Sequence, residues 1–128
     1  MSLNVSAPVL VVDDAGMMIQ IVTSMLERIG FHEIDSANSG HEALAMLWRK
    51  DYGLVIADWN MSPITGFELL SRMRKQPAFS NVPFIMITAN PKEARVVAAR
   101  DAGAAAFLAK PFSLESLELK IIETLALQ

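Results

Sequence analysis

Four short apolar runs constrain this chain more than any other feature: Val9-Leu10-Val11-Val12, Leu54-Val55-Ile56-Ala57, Phe84-Ile85-Met86-Ile87 and Ala106-Phe107-Leu108-Ala109. Each is continuous rather than alternating, so each presents apolar side chains to both faces of a sheet. That is the pattern of parallel strands covered by helices on both sides. A fifth segment, Glu33-Ile34-Asp35-Ser36-Ala37, alternates and suits an edge strand.

Between these runs the apolar period lengthens to three and four residues, as in amphipathic helices: Met18, Val22, Met25 and Ile29; Phe67, Leu70 and Met73; Leu114, Leu117, Ile121 and Leu125. Residues 42–50, with Ala43, Leu44 and Leu47, supply another helix. Ser39-Gly40-His41-Glu42 and Thr65-Gly66-Phe67-Glu68 fit the capping box, in which two side chains satisfy orphan amides of the first turn. Asn90-Pro91-Lys92-Glu93 predicts a cap followed by proline at the first helical position. Gly30 and Gly103 stand where helices should stop. Strand followed by helix about five times, with right-handed crossovers, gives an α/β doubly wound parallel sheet with helices on both faces.

Composition narrows the function classes. At 128 residues the chain is one domain, expected over residues 8–128 behind a mobile tail at 1–7. No uninterrupted apolar stretch approaches the roughly 18 to 20 residues that span a bilayer, and no secretory signal opens the sequence, so a cytoplasmic, soluble protein is expected. The absence of cysteine removes disulfides, thiolate metal sites and cysteine nucleophiles, and two histidines, His32 and His41, are too scattered for a metal cluster. Any metal must be oxygen-bound. A net charge of -3 with dispersed basic residues offers no electropositive stripe for nucleic acid.

Ligands of such sheets bind beyond the carboxyl ends of the strands. There the first strand ends in Asp13-Asp14, the third in Asp58, the fourth in Thr88 and the fifth in Lys110-Pro111. Singly, each has a plain structural explanation: Asp14 a helix cap, Asp58 a turn, Thr88 an ordinary strand residue, Lys110 a solvated charge. Parallel strands nevertheless bring them all to one edge. Three crowded carboxylates raise one another's proton affinity unless a cation joins them. With oxygen ligands alone the candidates are magnesium, calcium or manganese, and magnesium typically bridges one or two carboxylates to a phosphate. A carboxylate such as Asp58 attacks phosphorus when a divalent ion and a lysine neutralise the phosphoryl oxygens. Walker, G-x-S-x-G and H-E-x-x-H motifs are all missing.

Val11-Val12-Asp13-Asp14, Ala57-Asp58-Trp59-Asn60-Met61, Ile87-Thr88-Ala89 and Ala109-Lys110-Pro111-Phe112 resemble the receiver domains of response regulators, in particular the CheY-like single-domain type. The resemblance runs from about residue 8 to 127 and implies the strand order 2-1-3-4-5. It implies that Asp58 accepts a phosphoryl group from a histidine kinase or a histidine phosphotransfer protein. Asp14 and Asp58 then hold Mg2+ directly, Asp13 acts through metal-bound water, and Asn60 adds its backbone carbonyl. Lys110 and Thr88 bind phosphoryl oxygens, Lys110-Pro111 is cis, and Phe107 is the aromatic switch position, with a core phenylalanine as the alternative. The signal leaves through the surface of the fourth helix, fifth strand and fifth helix, where Lys92, Arg95, Val96 and Phe107 are candidate contacts. Chemotaxis is one such pathway. Departures from the family pattern are Phe107 in place of tyrosine, Ser62 before Pro63 in the loop over the site, and Asn90-Pro91 after Ala89.

Three other readings stay open on the residues: a phosphotransfer shuttle, a receiver that switches partners without phosphorylation, and an aspartyl-phosphate phosphohydrolase. The last expects a D-x-D pattern after the first strand, where this chain has adjacent Asp13-Asp14.

Overall fold

The computed structural model describes residues 3–126. Five strands alternate with five helices: β1 (Val9–Val12), α1 (Gly16–Ile29), β2 (Ile34–Ala37), α2 (Gly40–Arg49), β3 (Leu54–Asp58), α3 (Gly66–Arg74), β4 (Phe84–Thr88), α4 (Glu93–Asp101), β5 (Ala106–Ala109) and α5 (Leu114–Ala126). The strands form one sheet in the order β2-β1-β3-β4-β5, and every neighbouring pair is parallel.

The apolar runs of β1, β3 and β4 are buried on both faces, whereas the run of β5, the other edge strand, is buried only at Leu108 and partly covered elsewhere. On one side Leu10, Val12, Val55, Ala57, Phe84 and Met86 pack with Ala43 and Leu47 of α2, Leu69, Leu70 and Met73 of α3, and Ala99 of α4. On the other side Val9, Val11, Leu54, Ile56, Ile85 and Ile87 meet Val22 and Leu26 of α1 and Leu117 and Ile121 of α5. Leu3 and Val5, in the segment expected as a mobile tail, lie against this second cluster. β2 is the less buried edge strand that its alternation predicts.

Helix punctuation follows the sequence at some ends and departs from it at others. Thr65 and Glu68 form the full capping box of α3. At α2, Ser39 accepts from the Glu42 amide, but the Glu42 carboxylate reaches past the cap to accept from the Asn38 amide at 2.7 Å, so the reciprocal half is displaced by one residue. Gly30 and Gly103 close α1 and α4 with φ of 125° and 105°, values that suit a residue without Cβ. The cap expected at Asn90-Pro91 is not used. α4 begins at Glu93, and the residue before it, Lys92, makes no side-chain cap. The physical reason lies in the strand before it: the Asn90 amide is held by Thr88 Oγ1 at 3.1 Å, which keeps Asn90 and Pro91 in the connecting loop. No helix of the described residues is long and apolar enough to cross a membrane.

Candidate functional site

The parallel register sets the strand ends side by side. Asp58, the last residue of β3, pairs with Ile87, and Thr88, the last of β4, pairs with Ala109. Backbone bonds extend the sheet one step further: the Asp13 amide donates to Ala37 O, the Trp59 amide to Ile87 O, and the Lys110 amide to Thr88 O. Residues 13, 58, 88 and 110 are thereby fixed by sheet geometry rather than by flexible loops.

Asp58 and Asp13 are 6% and 3% exposed, and Thr88 is fully buried. Lys110 Nζ lies 2.7 Å from Asp58 Oδ2 and 3.9 Å from Asp13 Oδ2, so a single ammonium serves both carboxylates. Asp58 Oδ1 accepts from the Asn60 amide at 3.1 Å, and Asp13 Oδ1 accepts from the Ala15 amide at 2.9 Å. Burial pushes the Asp13 carboxyl up to about 6; the Ala15 amide and Lys110 oppose this, while the charges of Asp58 and Asp14 add to it. The acidic pair is thus divided, with Asp13 inside the pocket and Asp14 exposed at its rim.

The described residues contain no group of three or more His, Asp or Glu side chains arranged as a metal cage. This donor set still fits magnesium, which retains several waters and takes only one or two carboxylates. Two buried carboxylates turned to one ammonium, one of them with a raised proton affinity, form a pocket short of positive charge.

The remaining predicted positions surround this centre. Asn60 is exposed beside Asp58, and the loop that follows folds back on Trp59, whose carbonyl accepts from the amides of Met61 and Gly66. Both Ser62-Pro63 and Lys110-Pro111 are cis, the second as the family resemblance implies. Phe107 is half-buried on β5, where it packs against the α2–α4 side of the core and lines a shallow apolar groove with Val96, Ala99 and Ala104.

One site residue was read from the sequence only as a surface contact. Arg95, in the first turn of α4, turns back toward the sheet edge: Nη1 donates to Thr88 Oγ1 at 3.2 Å and lies 3.4 Å from Asn60 Oδ1. Its guanidinium stands 4.8 Å from the Trp59 ring centroid, and Trp59 in turn stacks on Phe67 with centroids 5.2 Å apart. An arginine 36 positions after the tryptophan carries no periodic or motif signal of this contact, which exists only because β3 and β4 are neighbours.

Residues 9–122 match the family model of the response regulator receiver domain. Two chemotaxis proteins are similar along most of their length. CheY-3 of Vibrio cholerae is 35% identical over 119 residues, covering 93% of this chain and 92% of that one. CheY of Pseudomonas aeruginosa is 34% identical over 113 residues, covering 88% and 91%. Among solved structures, Vibrio cholerae CheY4 superposes with a TM-score of 0.87 at 32% identity, covering 93% of this chain and 98% of that one. A putative response regulator from Chloroflexus aurantiacus gives 0.89 at 30% identity, covering 94% and 98%. The chain belongs to the response regulator receiver family, the phosphorelay receivers of two-component signalling, and its sheet order and five helices are those of the CheY-like members.

Proposed function

We propose that Asp58 is the phosphoacceptor of this receiver and that the protein signals by binding a partner in a phosphorylation-dependent way. The observation that carries this reading is the ammonium of Lys110 held 2.7 Å from a buried Asp58 carboxylate at the carboxyl edge of the sheet. A carboxylate oxygen of Asp58 attacks the phosphorus of a kinase's or phosphotransfer protein's phosphohistidine. The new P–O bond forms as the P–N bond breaks, and the imidazole departs with the electron pair.

Asp13, Asp14, Asp58 and the Asn60 carbonyl are the residues that would hold Mg2+, which supplies charge neutralisation of the phosphoryl oxygens when bound. Lys110 moves its ammonium from the free carboxylate to a phosphoryl oxygen, and Thr88 donates its hydroxyl proton to another. Bonding of Thr88 to the phosphoryl group shifts the loop between β4 and α4, and with it the surface of α4, β5 and α5 around Phe107. A partner with unequal affinity for the two states reads the change. The names of the similar Vibrio and Pseudomonas proteins point to chemotaxis as the pathway.

The test is to incubate the protein with a small phosphodonor and magnesium and weigh it intact. One phosphoryl adduct is expected, absent without magnesium and absent in Asp58→Ala; an adduct that persists in Asp58→Ala overturns the assignment.

A further inference from the structure

Arg95 is, among the described residues, a cation of the site that no carboxylate neutralises. Among the described residues no acidic side chain forms an ion pair with it, whereas Lys110 is shared between Asp58 and Asp13. Its guanidinium is placed instead by an aromatic ring and two neutral oxygens: Trp59 at 4.8 Å, Thr88 Oγ1 at 3.2 Å and Asn60 Oδ1 at 3.4 Å. Both oxygens belong to neighbours of Asp58, Asn60 two residues along the chain and Thr88 at the end of the adjacent strand β4. Only Nη1 makes these contacts, and among the described residues the remaining N–H groups of the planar fork have no acceptor. The ring stack on Phe67 and the half-buried position hold the fork still before any ligand arrives.

An unpaired, pre-positioned guanidinium beside a phosphoacceptor is a receiver for phosphoryl oxygens, because Arg matches them in a bidentate geometry and loses little freedom on binding. Hydroxyl chemistry supports the same conclusion. Thr88 Oγ1 accepts from both Arg95 and the Asn90 amide, so both its lone pairs are used and its proton is left as the group it offers an anion.

We propose that Arg95 is a donor-binding residue of this site, one that engages the oxygens of an incoming phosphodonor and so favours dianionic donors over less charged ones. The inference rests on Asp58 being the phosphoacceptor. In the step it assists, a carboxylate oxygen of Asp58 bonds to phosphorus while the donor's own bond to phosphorus breaks: P–O in acetyl phosphate, releasing acetate, or P–N in phosphoramidate, releasing ammonia.

The experiment compares adduct formation by intact-mass kinetics for wild type, Arg95→Gln and Arg95→Lys with acetyl phosphate and with phosphoramidate, at saturating magnesium and at low and high salt. Arg95→Gln should slow phosphorylation by acetyl phosphate about fivefold to twentyfold, the effect of one nearby charge on a transferring phosphoryl group in a partly solvated site. The loss with phosphoramidate should be much smaller. Arg95→Lys should recover part of the loss, and high salt should narrow the gap between wild type and Arg95→Gln. Equal slowing with both donors would mean that Arg95 only positions Thr88, and equal rates in wild type and variant would mean that it does nothing; either result overturns the inference and leaves Asp58 as acceptor. If the wild-type protein takes no phosphoryl group from either donor, the acceptor reading falls and the inference with it.

Discussion

A Cβ placed on Gly66 would lie 2.2 Å from the carbonyl oxygen of Asp58, so the first turn of α3 rests directly on the backbone of the proposed phosphoacceptor. Backbone cannot swing aside as a side chain can, and Gly66→Ala must move either α3 or the end of β3. The expected cost is about 1 to 3 kcal/mol from overpacking, accompanied by slower phosphorylation because Asp58 itself is displaced. Two other glycines calibrate the measurement. At Gly40 the added atom meets two side-chain atoms of the buried Ile64, Cγ1 and Cδ1; a side chain can shift where a carbonyl cannot, so Gly40→Ala should cost less than Gly66→Ala and leave phosphorylation intact. At Gly16 nothing lies within 4 Å, and Gly16→Ala at the start of α1 should be neutral or stabilise by up to about 1 kcal/mol. Urea unfolding of the three variants should reproduce that order.

The raised proton affinity of Asp13 gives metal-free protein a defined pH dependence. Its folded carboxyl titrates at about 6, well above the ordinary value of 3.8. Below about pH 4 the group is protonated folded or unfolded and costs nothing. Between 4 and 6 the folded state binds the extra proton, so stability falls as pH rises through this window, by at most about 3 kcal/mol. Asp13→Asn should therefore stabilise the metal-free protein at pH 7.5 and leave it little changed at pH 4. At the proposed magnesium site protons compete with the metal for the charge of Asp13, so the gain in Tm from added magnesium should be large at pH 7.5 and small at pH 5. Thermal melts with and without magnesium across this range check both statements, and a gain independent of pH would contradict the competition.

The apolar runs made the fold legible because parallel strands must be buried on both faces, and strand ends made four site positions legible because a parallel sheet brings its carboxyl ends together. Asp13, Asp58, Thr88 and Lys110 meet for that reason alone. What was not legible depends on where a side chain turns after its backbone is placed. Asp13 and Asp14 are adjacent and chemically identical, yet only the first is buried. Arg95 reads as an exposed helix residue, and only the neighbouring β3 and β4 loops bring Trp59, Asn60 and Thr88 within its reach. At Asn90-Pro91 a local capping signal lost to a tertiary one, the hydrogen bond from the Asn90 amide to Thr88.

Asp35, on the edge strand, carries a second pH effect of opposite sign. Its carboxylate accepts from Tyr52 Oη at 2.6 Å and from Lys50 Nζ at 2.9 Å, while Lys50 also pairs with Glu33. The Tyr52 hydroxyl, with Lys50 next, holds the Asp35 carboxyl below its ordinary 3.8, and burial beside this carboxylate pushes the Tyr52 phenol up to about 12. A depressed carboxyl contributes stability above the unfolded pKa that is lost as pH falls through the folded one. Because the Asp35 side chain is 33% exposed, the contribution is discounted to about 1 kcal/mol. Tyr52→Phe should cost roughly 1 kcal/mol at neutral pH and flatten the stability profile below pH 4, measured by urea titrations at closely spaced pH values.

Arg74 at the end of α3 is clamped to the turn between α4 and β5. Nε and Nη2 donate to Gly103 O at 3.2 and 2.8 Å, and Nη1 donates to Ser80 O at 3.1 Å, so one planar fork ties three segments. Arg74→Met keeps much of the apolar stem but leaves these carbonyls to water, for an expected cost of about 1 to 3 kcal/mol. Gly103 feels the same side chain from the other direction. Its φ of 105° disfavours any Cβ, and an added Cβ would also lie 2.7 Å from Arg74 Nε. Gly103→Ala thus combines backbone strain with a clash, and the clash eases when Arg74 is already methionine, whose chain end is no longer tethered to the Gly103 carbonyl and can turn away. The double variant should be more stable than the sum of the single losses allows, by about 1 kcal/mol, with the remaining loss set by the backbone. A double-mutant cycle from urea midpoints measures this coupling, and strict additivity would show that the two residues do not press on each other.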